Sequence, residues 1–255
     1  MTQSATVEPA ATSTTRDLCN QFFDGRVDAG HRHHSEDWFA RYADELLAMM
    51  PQGGTLLDLG CGSCQITTHM ARAFDRVIGV DLSDSMLKAG RERIEMFGLD
   101  NASALYGDAA NFPAEVEEAN VILAYGVIQY LDPPVLRAHL AECARVLAPG
   151  GLLCWGLVPN ANLRHLWYMG ALSNPRPLPR RMVRSYVKTA LRWWKGKREG
   201  NILWDEMGIW FTQEELRQAA EEAGFEIEFR YSWYYEYRFH ALLRKANRAV
   251  PLSAA

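Results

Sequence analysis

The stretch Leu56 to Thr67, LLDLGCGSCQIT, limits the possible folds more than any other part of the 255-residue chain. The short apolar run Thr55-Leu56-Leu57-Asp58-Leu59 closes on the turn Gly60-Cys61-Gly62 and then passes into helix-forming sequence. A buried strand leading through a glycine bend into a helix lets backbone approach a nucleotide at the helix N-terminus. The same residues hold Cys61-Gly-Ser-Cys64, a spacing that suits a redox dithiol at a helix start, where the dipole lowers a thiol pKa. Cys61 lies between two glycines, in a turn shaped for close approach by something else. More elements follow it than a small redox domain contains, so the cradle is the better reading. The dinucleotide fingerprint Gly-x-Gly-x-x-Gly fails as well, because Gln65 stands at its last glycine.

The order of elements supports a parallel sheet. Ser35 predicts a helix start, with apolar residues from Trp38 to Leu47 and a stop at Pro51. Strands are expected at 55–59, 76–80, 103–106, 120–125 and 152–157, with helices at 65–74, from Ser83 to about Phe97, and from Asp132 to before Pro149. Strands alternating with helices at these intervals imply a sheet covered on both faces. A helix with its cap at Thr212 runs to Gly224, and the aromatic segments Phe225 to Trp233 and Tyr237 to Leu243 close the chain as an antiparallel pair.

Composition excludes several classes. The five cysteines, Cys19, Cys61, Cys64, Cys143 and Cys154, are odd in number and scattered, unlike a secreted disulfide framework. No apolar run approaches the roughly 18 residues of a membrane span, and the N-terminus lacks a signal core, so a cytoplasmic protein is expected. Residues 1–17 read as a disordered lead. The chain divides into that lead, a cofactor-binding core with an N-terminal helix over 18–157, a basic aromatic cap insertion over 158–208, and the closing helix and strands over 209–255.

From Leu56 to Leu157, and again from Phe211 to Leu243, the sequence resembles the class I S-adenosylmethionine-dependent methyltransferases. The resemblance rests on LLDLGCG, VIGVDLS, YGDAANFP, ANVILAYGVIQYL, RVLAPGGLL and FTQEELRQAAEEAGF, in that order. It implies a Rossmann-like α/β fold, with a mostly parallel seven-stranded sheet, an antiparallel C-terminal strand, helices on both faces and a helical cap insertion. It also implies S-adenosyl-L-methionine as cofactor. In this reading Gly60, Cys61 and Gly62 form the turn that approaches the cofactor, and Asp58 orients its amino-acid end. Asp81 binds the ribose hydroxyls, Leu82 packs on adenine, Asp108 and the Ala109 amide meet the adenine edge, and Tyr125 borders the methionine arm. Where the family often carries a third glycine, this chain has Cys64.

The acceptor is expected to be a small or medium-sized metabolite: a sugar, a glycolipid intermediate or a natural product. O-methylation is favoured by the histidine supply, with His165, His240 and Tyr130 as candidate catalytic residues and His33 and His34 behind them. N-methylation, a non-catalytic cofactor-binding regulator and an NAD-type oxidoreductase are the alternatives. His31, His33 and His34 lack carboxylate partners at metal-ligand spacing, and no metal is expected. Residues 164–198 hold ten Lys/Arg and no Asp/Glu, although the whole chain is acidic at −4. Within them, 179–198 reads as a basic amphipathic helix, suited to a lid over an anionic substrate or to peripheral contact with a membrane. Nucleic acid is not expected as a partner.

Overall fold

A computed structural model describes residues 35–172, 179–198 and 208–246. The expected lead at 1–17, Cys19 and the histidines His31, His33 and His34 lie outside the described residues. The elements in chain order are α1 (Glu36–Leu47), β1 (Thr55–Leu59), α2 (Gln65–Met70), β2 (Arg76–Asp81), α3 (Asp84–Met96), β3 (Ala102–Tyr106) and β4 (Ala119–Tyr125). They continue with α4 (Pro133–Val146), β5 (Leu147–Pro159), α5 (Arg164–Met169), α6 (Pro179–Arg198), α7 (Gln213–Glu222), β6 (Phe225–Tyr231) and β7 (Arg238–Lys245).

The seven strands form one sheet in the order β3-β2-β1-β4-β5-β7-β6. Neighbours from β3 to β5 pair in parallel, and β7 runs antiparallel to both β5 and β6. This is the Rossmann-like arrangement with a reversed C-terminal strand that the sequence implied. Strand β1 lies inside the sheet between β2 and β4, where both faces are covered, which explains a mostly apolar run instead of alternation. Its residues divide by parity: Leu57 and Leu59 pack with Leu136 and Leu140 of α4 and Leu216 of α7, while Leu56 packs with Phe39, Tyr42 and Leu46 of α1.

Local chemistry sets the helix starts. Ser83 accepts from the N–H of Met86 at the head of α3, and Asp132 accepts from Val135 at the head of α4, where Pro133 and Pro134 fill positions with no intrahelical acceptor to meet. Thr212 and Glu215 form a reciprocal capping box on α7.

Most bounds agree to within two residues, and three elements differ more from expectation. Helix α1 ends at Leu47, ahead of Pro51, and α2 ends at Met70, where a 3-10 turn over Ala71–Ala73 takes over. Strand β5 starts at Leu147 and runs through Pro149-Gly150-Gly151, which local propensity marks as a loop. The register against β4 slips between Ala119 and Val121 at this point, and an irregular site of that kind tolerates proline.

A second irregularity lies at the other end of β5. The register with β7 shifts between Trp155 and Val158, and Leu157 takes a left-handed backbone with φ of +55°. Its N–H donates to His240 Nδ1 at 3.4 Å, and its carbonyl accepts from Arg238 at 2.6 Å. Two side chains of β7 thus satisfy the backbone that the bulge takes out of the ladder.

Candidate active site

The Gly60–Gly62 turn is tied to β2 by its own backbone. The N–H groups of Gly60 and Cys61 both donate to the carbonyl of Val80, at 2.7 and 3.1 Å. Gly60 has φ of +68°, and a Cβ there would stand 2.3 Å from Val127 Cγ2, so this position requires glycine twice over. At Gly62 the nearest atom to an added Cβ is Met86 Sδ at 4.0 Å, which leaves the outer side of the turn open.

Asp81 ends β2 beside that open side. One carboxylate oxygen accepts from the Gly62 N–H at 2.9 Å, and the other accepts from the Ser83 N–H at 2.9 Å. Burial raises its pKa, and the N–H bonds from Ser83, Gly62 and Leu82 oppose the rise. Asp81 and Leu82 are both half-buried.

Asp58 differs from Asp81 in being sealed. It is buried and accepts from Thr67 Oγ1 at 2.6 Å. Burial pushes its pKa up to about 7, the negative charge of Asp81 adds to the rise, and the Thr67 hydrogen bond opposes it.

Cys61 and Cys64 are free and buried, with their sulfurs 3.9 Å apart. The contact with Cys64 and burial hold the Cys61 thiol well above its usual range. A redox dithiol needs the opposite shift. The Cys61 sulfur points at Gly79, where a Cβ would come within 2.8 Å of it. Cys64 takes a left-handed conformation with φ of +59°, and its sulfur fills the space over Gly90.

Asp108 and Ala109 lie on the loop after β3. Asp108 is buried and accepts from the Ala110 N–H at 2.9 Å, which closes the loop on itself. The Ala109 carbonyl accepts from His139 Nδ1 at 2.7 Å, and His139 Nε2 accepts from the indole N–H of Trp155 at 3.0 Å. A carbonyl on one side and an N–H on the other select the neutral ring with its proton on Nδ1. Burial lowers the His139 pKa to about 4 and keeps the ring uncharged. Reading the sequence for function missed this residue. Its only signal was its place on the apolar face of α4, between Leu136, Leu140 and Cys143.

Aromatic rings wall the carboxyl ends of β4 and β5. Tyr125 ends β4, its ring 6.1 Å from that of Tyr42, and the hydroxyls of Tyr42 and Tyr235 are hydrogen-bonded at 2.5 Å. The Tyr125 hydroxyl is buried without a hydrogen-bond partner among the described residues. Trp38 and Tyr234 pack around this group, and Trp167, Tyr168, Trp210 and Tyr237 form a second cluster.

The candidate catalytic residues occupy three different surroundings. His165 is exposed on α5, its ring 5.7 Å from Tyr186 of α6. Tyr130 is half-buried in a 3-10 turn over Ile128–Tyr130. His240 is fully buried, with Nε2 at 3.1 Å from Oε1 of the equally buried Glu45 but without hydrogen-bond alignment. Glu45 also accepts from the backbone of Trp233 and from Ser232 Oγ, which pins the β6–β7 connection to α1. Arg238 joins Gln129 at 3.1 Å to the Leu157 carbonyl. Glu45 and Arg238 were not singled out in the sequence, because the partners of each lie far along the chain.

Among the described residues, no group of three or more His, Cys, Asp or Glu is arranged to hold a metal ion, and no helix is long and apolar enough to cross a membrane. A groove of about 280 Å³ lies among Arg217, Glu221, Phe225 and Ile227, at the amino end of β6 on the opposite rim of the sheet. None of the residues above lines it.

Residues 56–151 match the family model described as a methyltransferase domain. A ubiquinone biosynthesis O-methyltransferase from Cereibacter sphaeroides is 28% identical over 193 residues, covering 71% of this chain and 76% of that protein. A demethylmenaquinone methyltransferase from Staphylococcus saprophyticus is 32% identical over 120 residues, covering 46% of this chain and 48% of its own length. The match thus spans about half of that relative. Among solved structures, magnesium protoporphyrin IX methyltransferase from Synechocystis PCC 6803 superposes with a TM-score of 0.61 at 15% identity, covering 91% of this chain and all of that one. That likeness is one of fold.

Proposed function

We propose that this chain, which belongs to the class I S-adenosylmethionine-dependent methyltransferases, binds S-adenosyl-L-methionine at the Gly60–Gly62 turn and directs its methyl group to a medium-sized metabolite. What carries the reading is the half-buried carboxylate of Asp81, clipped to the N–H of Gly62 on the open side of the turn. A carboxylate held this way keeps lone pairs for two adjacent ribose hydroxyls.

When bound, the cofactor supplies a methyl group already activated on a positively charged sulfur. The chain supplies position. Asp81 would accept from the ribose hydroxyls, Leu82 would pack on adenine, and Asp108 with the Ala109 N–H would meet the adenine edge. Gly60, Cys61 and Gly62 would present backbone to the methionine arm, and Tyr125, whose buried hydroxyl has no partner among the described residues, would border that arm. Asp58 stands behind the turn and orients the amino-acid end.

The half-buried rings of Tyr125 and Tyr235 at the carboxyl end of the sheet favour an acceptor with a flat, apolar face. The relative from Cereibacter sphaeroides is named for O-methylation in ubiquinone biosynthesis, which supports a hydroxyl as the acceptor. A hydroxyl must lose its proton during transfer. His165 is the base in this reading, because it is accessible while His240 is enclosed; Tyr130 is the second choice.

Thermal denaturation tests the cofactor, with S-adenosylmethionine, S-adenosylhomocysteine and NAD as ligands. Stabilisation by the first two is expected, and stabilisation by NAD alone overturns the reading. Transfer of an isotopically labelled methyl group into fractionated metabolite extracts tests turnover. Binding without labelling of any fraction would instead make the chain a cofactor-binding regulator.

A further inference from the structure

Helix α6, Pro179–Arg198, is the longest among the described residues and is largely exposed. It meets α5 along one side: Ser185 Oγ donates to the Tyr168 carbonyl at 2.9 Å, and Tyr186 lies against His165. Met182 and Thr189, on that side, are half-buried. About a quarter turn around the helix a second stripe begins. Val183, Val187, Ala190, Leu191 and Trp194 follow at spacings of three, four, seven and eight, which places them on one face. Val183 and Leu191 are each 63% exposed, Trp194 55% and Val187 51%. Arg180, Arg184 and Lys188 border the stripe and are exposed, and no acid occurs between 164 and 198.

An apolar stripe edged by cations fits one kind of surface. A second copy packed stripe to stripe would bring two sets of Arg and Lys together, with no acid in this segment to offset them. A nucleic acid would meet the basic edge and leave Val187, Leu191 and Trp194 in water. An anionic lipid surface satisfies both features: the apolar side chains enter the acyl boundary, Trp194 sits at headgroup depth, and the Arg and Lys side chains meet lipid phosphates. We infer that α6 docks in the plane of an anionic membrane with this stripe facing the lipid. The helix hangs from the carboxyl rim of the sheet through α5, so docking turns that rim toward the bilayer. Nothing in the inference depends on methyl transfer.

The test is sedimentation of the full chain with phosphatidylcholine vesicles and with vesicles that also contain phosphatidylglycerol. Binding is expected to the anionic vesicles only and to weaken as salt rises. The double variant Val187→Asp/Leu191→Asp should lower partitioning about tenfold or more, and Arg184→Glu/Lys188→Glu should do likewise. Both keep the circular dichroism spectrum and thermal midpoint of the parent, since all four side chains are exposed. Failure of the parent to bind anionic vesicles overturns the inference, as does equal binding by the Val187/Leu191 variant. Two further results assign the stripe to another role and overturn it too: a dimer that this variant dissociates, or loss of cofactor binding by this variant without lipid.

Discussion

The indole N–H of Trp155 donates to Nε2 of His139 at 3.0 Å, deep between β5 and α4. The other ring nitrogen donates to the carbonyl of Ala109, so one buried imidazole ties the centre of the sheet to the loop proposed to read adenine. His139→Ala removes both hydrogen bonds and leaves a cavity, and should cost about 2–4 kcal/mol in urea denaturation. His139→Gln, which can keep one of the bonds, should recover part of the loss. His139→Ala should also weaken S-adenosylhomocysteine in calorimetry, because Ala109 loses its fixed support.

His139 also sets a pH dependence. Its pKa is lowered from 6.5 to about 4, so its contribution to stability is fully present above about 6.5 and is lost as pH falls toward 4. The thermal midpoint of His139→Gln should lack this component in a pH series between those limits.

Asp58 acts with the opposite sign. Its pKa rises from 3.8 to about 7, so the folded chain holds a proton that the unfolded chain has released, and stability falls as pH rises through that window. Asp58→Asn should remove the fall and raise the thermal midpoint above pH 7, by at most about 4 kcal/mol of stability. A midpoint that drops equally with pH in parent and variant contradicts this assignment.

Asp81→Asn should reduce affinity for S-adenosylhomocysteine about tenfold or more, since hydrogen bonds to a charged acceptor are worth about 1.5–3 kcal/mol. Titration calorimetry reads the change. The fold should persist, because the Asn side-chain oxygen can still accept from Gly62 or Ser83.

Gly60→Ala and Cys64→Gly should diverge. The first forces a Cβ to within 2.3 Å of Val127 at a φ of +68°, and should unfold the turn or abolish cofactor binding. The second relieves a left-handed non-glycine residue, worth about 1–2 kcal/mol, but empties the space over Gly90. Its net effect on chemical denaturation should stay within about 1 kcal/mol, the two terms being opposed.

Arg238 supports the backbone at the bulge in β5. Arg238→Ala leaves the Leu157 carbonyl without its 2.6 Å donor at a strained bulge. A loss of about 1–3 kcal/mol is expected in urea denaturation.

Local signals determined most of the sheet. The mostly apolar run in β1, the caps at Ser83, Asp132 and Thr212, and the glycine bend after Leu59 each act over a few residues, so the succession of strands and helices along the chain was legible from local signals, while the placing of Asp81 beside the turn came from the resemblance. The length of β5 was not: Pro149-Gly150-Gly151 favours a loop locally, and only pairing with a slipped β4 carries the strand through it. The same holds for the partnerships of His139 with Trp155, Glu45 with His240 and Arg238 with Leu157. Each joins residues distant in sequence, and burial sets an ordinary polar side chain against a partner that local sequence does not reveal. Periodicity shows which face of a helix is apolar, but only packing decides what that face meets. On α6 the pattern was plain in the chain, and the tertiary structure decided that one stripe would turn to α5 while its neighbour stayed in the open.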